Sequence, residues 1–399
     1  MANGLGRTTL GGQCSVCGST DVVSLIEIRQ IPVHCNMLWP TQEGALHAPR
    51  GDLRLGLCGE CGHIFNLAFD PALMEYTQAY ENSLHFSPHF QRYAESLVAQ
   101  LVERYDLHGK DIIEIGCGKG EFLTLLCELG GNRGIGFDPS YIPEQNANAK
   151  TSPITVIRDF YSERFASYTA DFICCRHVLE HIQFPRDFLS SVRCSIGGRL
   201  KTVVFFEVPN ALFTLRDLGI WDLIYEHCSY FSARSLSRLF MSCGFDVLNV
   251  SEAFGGQFLC AEAVPTKNPA HPDHSGNGLD TPTSEAGVFA DRYRRKVRVW
   301  AEHLEQMTRQ GRRAVVWGAG SKGVTFLNTL RIYSQIEYVV DLNPRKQGRY
   351  VAGTGQKIVA PEFLRSYRPE VVLVMNSIYQ SEIQHMTERL GLTPELICV

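Results

Sequence analysis

Twice in this 399-residue chain an apolar run ends in a glycine-rich turn and gives way to a helical pattern. Asp111-Ile112-Ile113-Glu114-Ile115 passes through Gly116-Cys117-Gly118-Lys119-Gly120 into a helical stretch over 121–129. Ala314-Val315-Val316-Trp317 passes through Gly318-Ala319-Gly320 into Ser321-Lys322-Gly323. A strand that turns so sharply into a helix belongs to a parallel sheet, because the helix must cross back before the next strand can pair. Further apolar runs at 134–138, 155–157, 172–175 and 202–207 alternate with helical stretches. The run at 202–207 is almost continuously apolar, as a strand covered on both faces must be. The expected fold class is α/β, with a central doubly wound, Rossmann-like domain and a second Rossmann-like domain at the C-terminal end.

The segment 265–285 is rich in Pro, Gly, Asn, Asp, Ser and Thr and reads as a linker or long loop. A helical stretch over 288–310 follows it. The expected organisation is an N-terminal metal-binding domain over 1–70, the central domain over 71–264, that linker, and the C-terminal domain over 286–399.

The N-terminal assignment rests on cysteine spacing. Cys14-Ser15-Val16-Cys17-Gly18 and Cys58-Gly59-Glu60-Cys61-Gly62 are two CxxC-Gly knuckles. Each places two thiolates on one tight turn, and two such turns can close a tetrahedral zinc site. Four sulfur ligands leave no open coordination position, so the expected zinc is structural. His34, Cys35 and His63 are alternative ligands. The other cysteines are scattered, which in a chain of this length points to reduced thiols and a cytoplasmic location. The formal net charge of −4 provides no basic footprint for nucleic acid. No run approaches the ~18 apolar residues of a membrane helix, so neither nucleic acid nor membrane is an expected partner.

The central loop carries cofactor chemistry. Its glycines let backbone approach a ligand closely. Glu114 precedes the first glycine, and Asp138 ends the next strand, where a carboxylate can accept from two ribose hydroxyls. Asp159, beside Phe160, follows a third strand and is placed to accept from an adenine amino group. The sequence Glu114-Ile115-Gly116-Cys117-Gly118-Lys119-Gly120 resembles the first motif of class I methyltransferases, and the resemblance implies S-adenosylmethionine (SAM) as cofactor.

Two acid–histidine segments follow. Arg176-His177-Val178-Leu179-Glu180-His181 would, on a helix, put His177 and His181 on one face. Tyr225-Glu226-His227-Cys228-Ser229-Tyr230-Phe231-Ser232 is polar and aromatic. There His227 suits a general base with Glu226 beside it, or a loop histidine ahead of a helix capped by Ser232. The residues alone leave both readings open. The whole chain is similar to the sugar C-methyltransferases that act on nucleotide-linked keto-deoxysugars, carried by Glu226, His227, Ser229, Tyr230, Phe231 and Ser232. That resemblance implies that His227 is the base, with Glu226 and His181 near it, and an acceptor-side aromatic from Tyr76 or Tyr80. It departs from the family at Ile224 and Tyr225, where Tyr-His is usual, and at His177, where Asn is frequent. His177 and Tyr225 thus fall on the acceptor side.

The C-terminal loop fits G-x-G-x-x-G with Gly318, Gly320 and Gly323. A helix start with Lys322 beside it favours phosphate, and a dinucleotide is one ligand that would fit. The resemblance implies that this unit holds the diphosphate of a nucleotide-linked sugar. The expected activity is therefore SAM-dependent C-methylation next to a ketone. Methylation of oxygen or nitrogen on another small acceptor, and a non-catalytic zinc-ribbon binding protein, are the alternatives.

Overall fold

The computed structural model describes residues 12–74, 80–142, 154–268 and 282–399. The chain opens with β1 (Val22–Pro32), α1 (Gln42–Leu46), β2 (Arg50–Cys58) and β3 (Ile64–Asn66), whose strands pair antiparallel in sequence order. α2 (Pro88–Tyr105) then leads into the central sheet, with Ser87 capping it through an oxygen that accepts from Phe90 N and Pro88 at its first position.

The central unit runs β4 (Asp111–Ile115), α3 (Glu121–Gly130), β5 (Arg133–Phe137), β6 (Ile154–Ile157), β7 (Phe172–Arg176), α4 (Pro185–Ile196), β8 (Val203–Pro209) and α5 (Ala211–Leu215). A two-residue β9 (Ser229–Tyr230), α6 (Ala233–Ser242), β10 (Phe245–Ala253) and β11 (Phe258–Pro265) complete it. Its seven-stranded sheet has the order β10-β11-β8-β7-β4-β5-β6. Strands β4 to β8 pair parallel, while β11 lies antiparallel to β8. The order reverses between β4 and β7, so ligands are received there, outside the carboxyl ends of the strands.

The last unit comprises α7 (Pro282–Arg309), β12 (Ala314–Trp317), α8 (Ser321–Thr329), β13 (Tyr338–Val340), β14 (Lys357–Val359), α9 (Leu364–Tyr367), β15 (Val371–Val374), α10 (Gln380–Arg389) and β16 (Glu395–Cys398). Its five strands are all parallel, in the order β14-β13-β12-β15-β16. This is a second doubly wound sheet, reversing between β12 and β15.

Three differences from the sequence expectation bear on function. α7 begins at Pro282, so the last residues of the expected linker are helical; proline's fixed φ suits a first helical position. His177 and His181 do not share an α-helical face. His177 has φ +54°, and only a short 3₁₀ turn, Leu179–His181, follows. Finally, β9 pairs with β3, Ile64 opposite Tyr230 and Phe65 opposite Ser229. The segment after Glu226 and His227 is thus the fourth strand of the N-terminal sheet. Behind it one continuous core joins Leu53 and Tyr225 to Trp221, Phe326 and Val316, so the first and last units share their apolar interior.

Candidate active site

The central glycine loop is built by close approach. Gly116, Gly118 and Gly120 have φ of +71°, +54° and +78°, which only glycine adopts without strain. A Cβ at Gly116 would lie 2.2 Å from Val178 Cγ2, and one at Gly120 2.4 Å from Ile154 Cδ1, whereas Gly118 faces open space. Asp138 Oδ2 accepts from Gly118 N at 2.8 Å and its Oδ1 from Ser140 N at 2.8 Å, so this carboxylate fixes the loop as well as ending β5. The C-terminal unit repeats the device: Asp341 Oδ2 accepts from Ala319 N at 2.8 Å and Oδ1 from Asn343 N at 2.9 Å.

Glu114 is buried beneath the loop, where Oε2 accepts from Leu123 N in the first turn of α3 at 3.1 Å. Burial pushes its carboxyl up to about 8, against the nearby Arg176. Its hydrogen bond is to the first turn of α3, so it braces the loop from below. Asp159 pairs with Arg164 and accepts from Phe160 N at 2.8 Å. The Phe160 ring is 67% exposed.

At the carboxyl ends of β7 and β8 lies a buried charged network absent from the sequence reading. Glu207 receives Arg176 at 2.9 Å and the Tyr93 hydroxyl at 2.6 Å, and His177 Nε2 lies 2.7 Å from it. Burial alone would raise the Glu207 carboxyl, but Arg176, His177 and Tyr93 outweigh burial and hold it at about 2. His177 shows the converse. Burial would lower it, yet Glu180 and Glu207 raise it to about 9, so it is an imidazolium at neutral pH. Arg176 also stacks on Phe122 with its guanidinium 4.0 Å from the ring centroid.

His227 stands in the opposite state. Its ring is half-buried, and Nδ1 is buried with no hydrogen-bond partner among the described residues. Burial first, then the nearby His181, His177 and Lys322, hold it well below the ordinary imidazole range. It is therefore a neutral imidazole. His181 donates from Nδ1 to the Glu226 carbonyl at 2.9 Å, which turns its other edge toward the site. Ligand atoms of Glu180, His181 and His227 lie within 4.8 Å of one another. Glu226 does not orient His227 with its carboxylate. That group is fully buried and turned to the N-terminal sheet, accepting from Cys35 N at 3.3 Å and lying 3.5 Å from His34 Nδ1. Tyr80 adjoins the same pair, with its ring 6.4 Å from His34 and a backbone bridge to Met37. Tyr76 lies outside the described residues.

Tyr225 is a further correction. Its ring is sealed against Phe69 and Gly51, and its hydroxyl accepts from Asp70 N at 2.8 Å. It anchors the N-terminal segment instead of facing an acceptor. Lys322 reaches toward His227 from the C-terminal unit, but Asp222 matches its charge at 2.7 Å. Gly323 is needed for packing, since a Cβ there would lie 2.0 Å from Gly318 O, while Gly320 faces open space.

The four knuckle cysteines converge. Cys14 and Cys61 Sγ are 3.6 Å apart, Cys17 and Cys58 Sγ 3.5 Å, and all four lie within 4.8 Å of one another. A tetrahedron of Zn–S bonds of about 2.3 Å sets its sulfurs roughly 3.8 Å apart, so the donor set fits zinc. Gly18 N and Gly62 N donate back to Cys14 O and Cys58 O, each at 2.9 Å, closing two equivalent turns. His34 and Cys35 adjoin Glu226, and His63 stacks on Phe65; none belongs to the cluster. No helix among the described residues is long and apolar enough to cross a membrane.

Comparison with known proteins agrees with this architecture. Residues 89–250 match the family described as methyltransferase domain, and residues 276–392 match the C-methyltransferase C-terminal domain. The C-methyltransferase NovU of Streptomyces niveus is 25% identical over 397 residues, covering 93% of this chain and 91% of that protein. The mitochondrial ubiquinone biosynthesis O-methyltransferase of Schizosaccharomyces pombe is 32% identical over 106 residues, 25% of this chain and 39% of that protein. Among solved structures, the magnesium protoporphyrin IX methyltransferase of Synechocystis PCC 6803 aligns over 45% of this chain and 84% of its own, at 19% identity and a TM-score of 0.34. With a methyltransferase-domain match over residues 89–250, a C-methyltransferase C-terminal domain match over residues 276–392 and a C-methyltransferase relative aligned along 93% of the chain, this protein is a SAM-dependent methyltransferase.

Proposed function

We propose that this enzyme methylates a carbon next to a ketone in a nucleotide-linked keto-deoxysugar, with His227 as the general base. The observation that carries the reading is the state of His227: a neutral imidazole beside His181, whose buried Nδ1 has no partner among the described residues and which feels Lys322 of the C-terminal unit. A base must be unprotonated to act, and burial keeps it so. SAM, when bound, supplies an electrophilic methyl group. Gly116, Gly118 and Gly120 form its cradle, with Asp138 at the ribose end and Asp159 and Phe160 toward the adenine.

In this reading His227 takes the proton from the acceptor carbon and leaves an enolate. His181 is held in one tautomer by the Glu226 carbonyl and packs edge to face on His227, which fixes the orientation of the base. His177, a fixed cation between Glu180 and Glu207, supplies positive potential for the enolate charge. Tyr80 faces the acceptor, with the buried His34–Glu226 pair behind it. Gly318, Gly320 and the start of α8 face the diphosphate, with Lys322 shared between it and Asp222. The C-methyltransferase relative supports carbon as the methylated atom. Cys14, Cys17, Cys58 and Cys61 would hold a structural zinc. It would fasten the N-terminal sheet without open coordination.

The test is solvent exchange. In D₂O with S-adenosylhomocysteine (SAH) bound, the wild type should wash deuterium into the acceptor carbon of a nucleotide-linked ketosugar, detected by mass spectrometry. His227→Ala should abolish that exchange while still binding SAH. Exchange at an undiminished rate in the variant would overturn the base assignment.

A further inference from the structure

The strap between the N-terminal sheet and α2 carries a carboxylate with no place in the chemistry above. Glu81 is 3% exposed, yet it touches all three parts of the chain. Its Oε1 accepts from Lys119 Nζ at 2.7 Å, and Lys119 is the side chain of the cofactor loop between Gly118 and Gly120. The same Oε1 accepts from Asn343 Nδ2 at 3.0 Å, and Oε2 accepts from Arg345 at 3.1 Å. Asn343 and Arg345 lie in the loop after β13, directly beyond Asp341, which fixes the C-terminal glycine loop. The Glu81 backbone N–H donates to Asn36 O at 2.9 Å. The strap is pinned further along as well. Ser83 donates to Glu121 at 2.9 Å, and Ser87 donates to Glu382 of α10 at 2.9 Å.

We infer that Glu81 is a positioning residue that couples the SAM loop to the C-terminal substrate unit, so that each site sets the affinity of the other. One buried anion is shared by two cations from different sheets. Burial would raise the Glu81 carboxyl, but Lys119, Arg345 and Asn343 outweigh it and hold it ionised. Without the anion, Lys119 and Arg345 would approach one another as like charges that are only partly exposed to water. The loop that would have to move is the pliable one, because Lys119 is flanked by two glycines of positive φ. Movement of Lys119 displaces Gly118 N, the donor that Asp138 holds. The tie therefore runs through contiguous contacts from Arg345 to the cofactor cradle. Coupling between two sites is reciprocal by linkage.

The inference rests on the reading of Gly116–Gly120 as the cofactor cradle, and SAH is the probe. Isothermal titration with SAH is run on the full-length wild type, E81Q, R345Q, the double variant and G118R. R345Q, altered in the other sheet, should weaken SAH binding about fivefold or more, within the usual range of site-to-site coupling. E81Q should weaken it at least as much, and the double variant no more than E81Q alone, since both remove one tie. In the reciprocal direction, SAH should slow amide hydrogen exchange over residues 341–348 in the wild type and not in E81Q. SAH affinity in R345Q within twofold of wild type, or single effects that multiply in the double variant, would overturn the coupling. Undiminished SAH binding by G118R would instead remove the cradle reading. If E81Q does not fold, R345Q and N343S carry the same comparison.

Discussion

The imidazoles of His181 and His227 meet edge to face, their centroids 5.0 Å apart and their planes at 74°. The contact joins a ring fixed by a backbone carbonyl to a ring whose Nδ1 has no partner among the described residues. Because burial and neighbouring cations lower His227, its protonation should govern the acid limb of activity. The expected kcat/KM profile stays flat through neutrality and falls only well below the ordinary imidazole value of about 6.5. Lys322→Met removes one of those cations and should move that limb to higher pH. An unchanged limb would show that the titrating group is elsewhere.

His177 and His227 impose opposite linkages on stability. His177 is raised in the fold, to about 9, so its contribution is complete below about pH 6.5 and is lost as pH rises through 9. His227 is lowered, so the unfolded state binds the proton more readily and stability falls as pH drops below about 6.5. Thermal melts of His177→Asn between pH 7 and pH 9.5 should lose most of the wild-type decline with pH. A decline as steep as the wild type's would place its source outside the His177–Glu207 network.

Metal removal should act on the acceptor side as well as on stability. Strand β3, next to the second knuckle, pairs with β9, two residues after His227. Cys58→Ser or chelation should lower the melting temperature by many degrees, as loss of a structural zinc does. It should also reduce methyl transfer more than SAH affinity, because the Gly116–Gly120 loop, the proposed cofactor cradle, belongs to another sheet. Equal losses in both would contradict that separation.

Two glycines separate packing from ligand approach. Gly323→Ala drives a Cβ into the Gly318 carbonyl and should cost about 1–3 kcal/mol of stability or more. Gly118→Ala meets open space and only the strain of a positive φ, about 1–2 kcal/mol. Gly118→Ala should nonetheless lose more SAH affinity, which titration and denaturant melts on the two proteins would compare.

Tyr225→Phe checks the correction at that position. It removes the hydroxyl contact with Asp70, worth about 1 kcal/mol, and leaves the buried ring in place. Stability should fall slightly while the acceptor KM is unchanged. A rise in KM would restore Tyr225 to the acceptor site.

Short-range geometry was readable from the sequence. The two glycine loops, the knuckles and the Ser232 cap are each set by residues within a few positions, and the structure has them where the spacing puts them. Ser232 even completes a capping box with Ser235. Side-chain direction was less readable. Glu226 and His227 are adjacent, so one faces the N-terminal sheet and the other the site, and no local pattern says which. The Glu207 network was invisible because it joins residues of β7, β8 and α2 that meet only in the folded sheet. A charged residue closing the apolar run of β8 was its one sequence trace. Glu81 left none, since its partners lie 38 and 264 residues away.

The pairing of β3 with β9 has a consequence for how the molecule is made. The N-terminal sheet lacks its fourth strand until synthesis has passed Tyr230, well after all four knuckle cysteines have been made. Emerging from the ribosome, that sheet is a template with an open edge, finished by a segment more than 160 residues downstream. The loop bearing His227 is therefore locked in the same late step that closes the edge. A graft that replaced residues 1–70 alone would have to recreate the partner of a strand it does not contain.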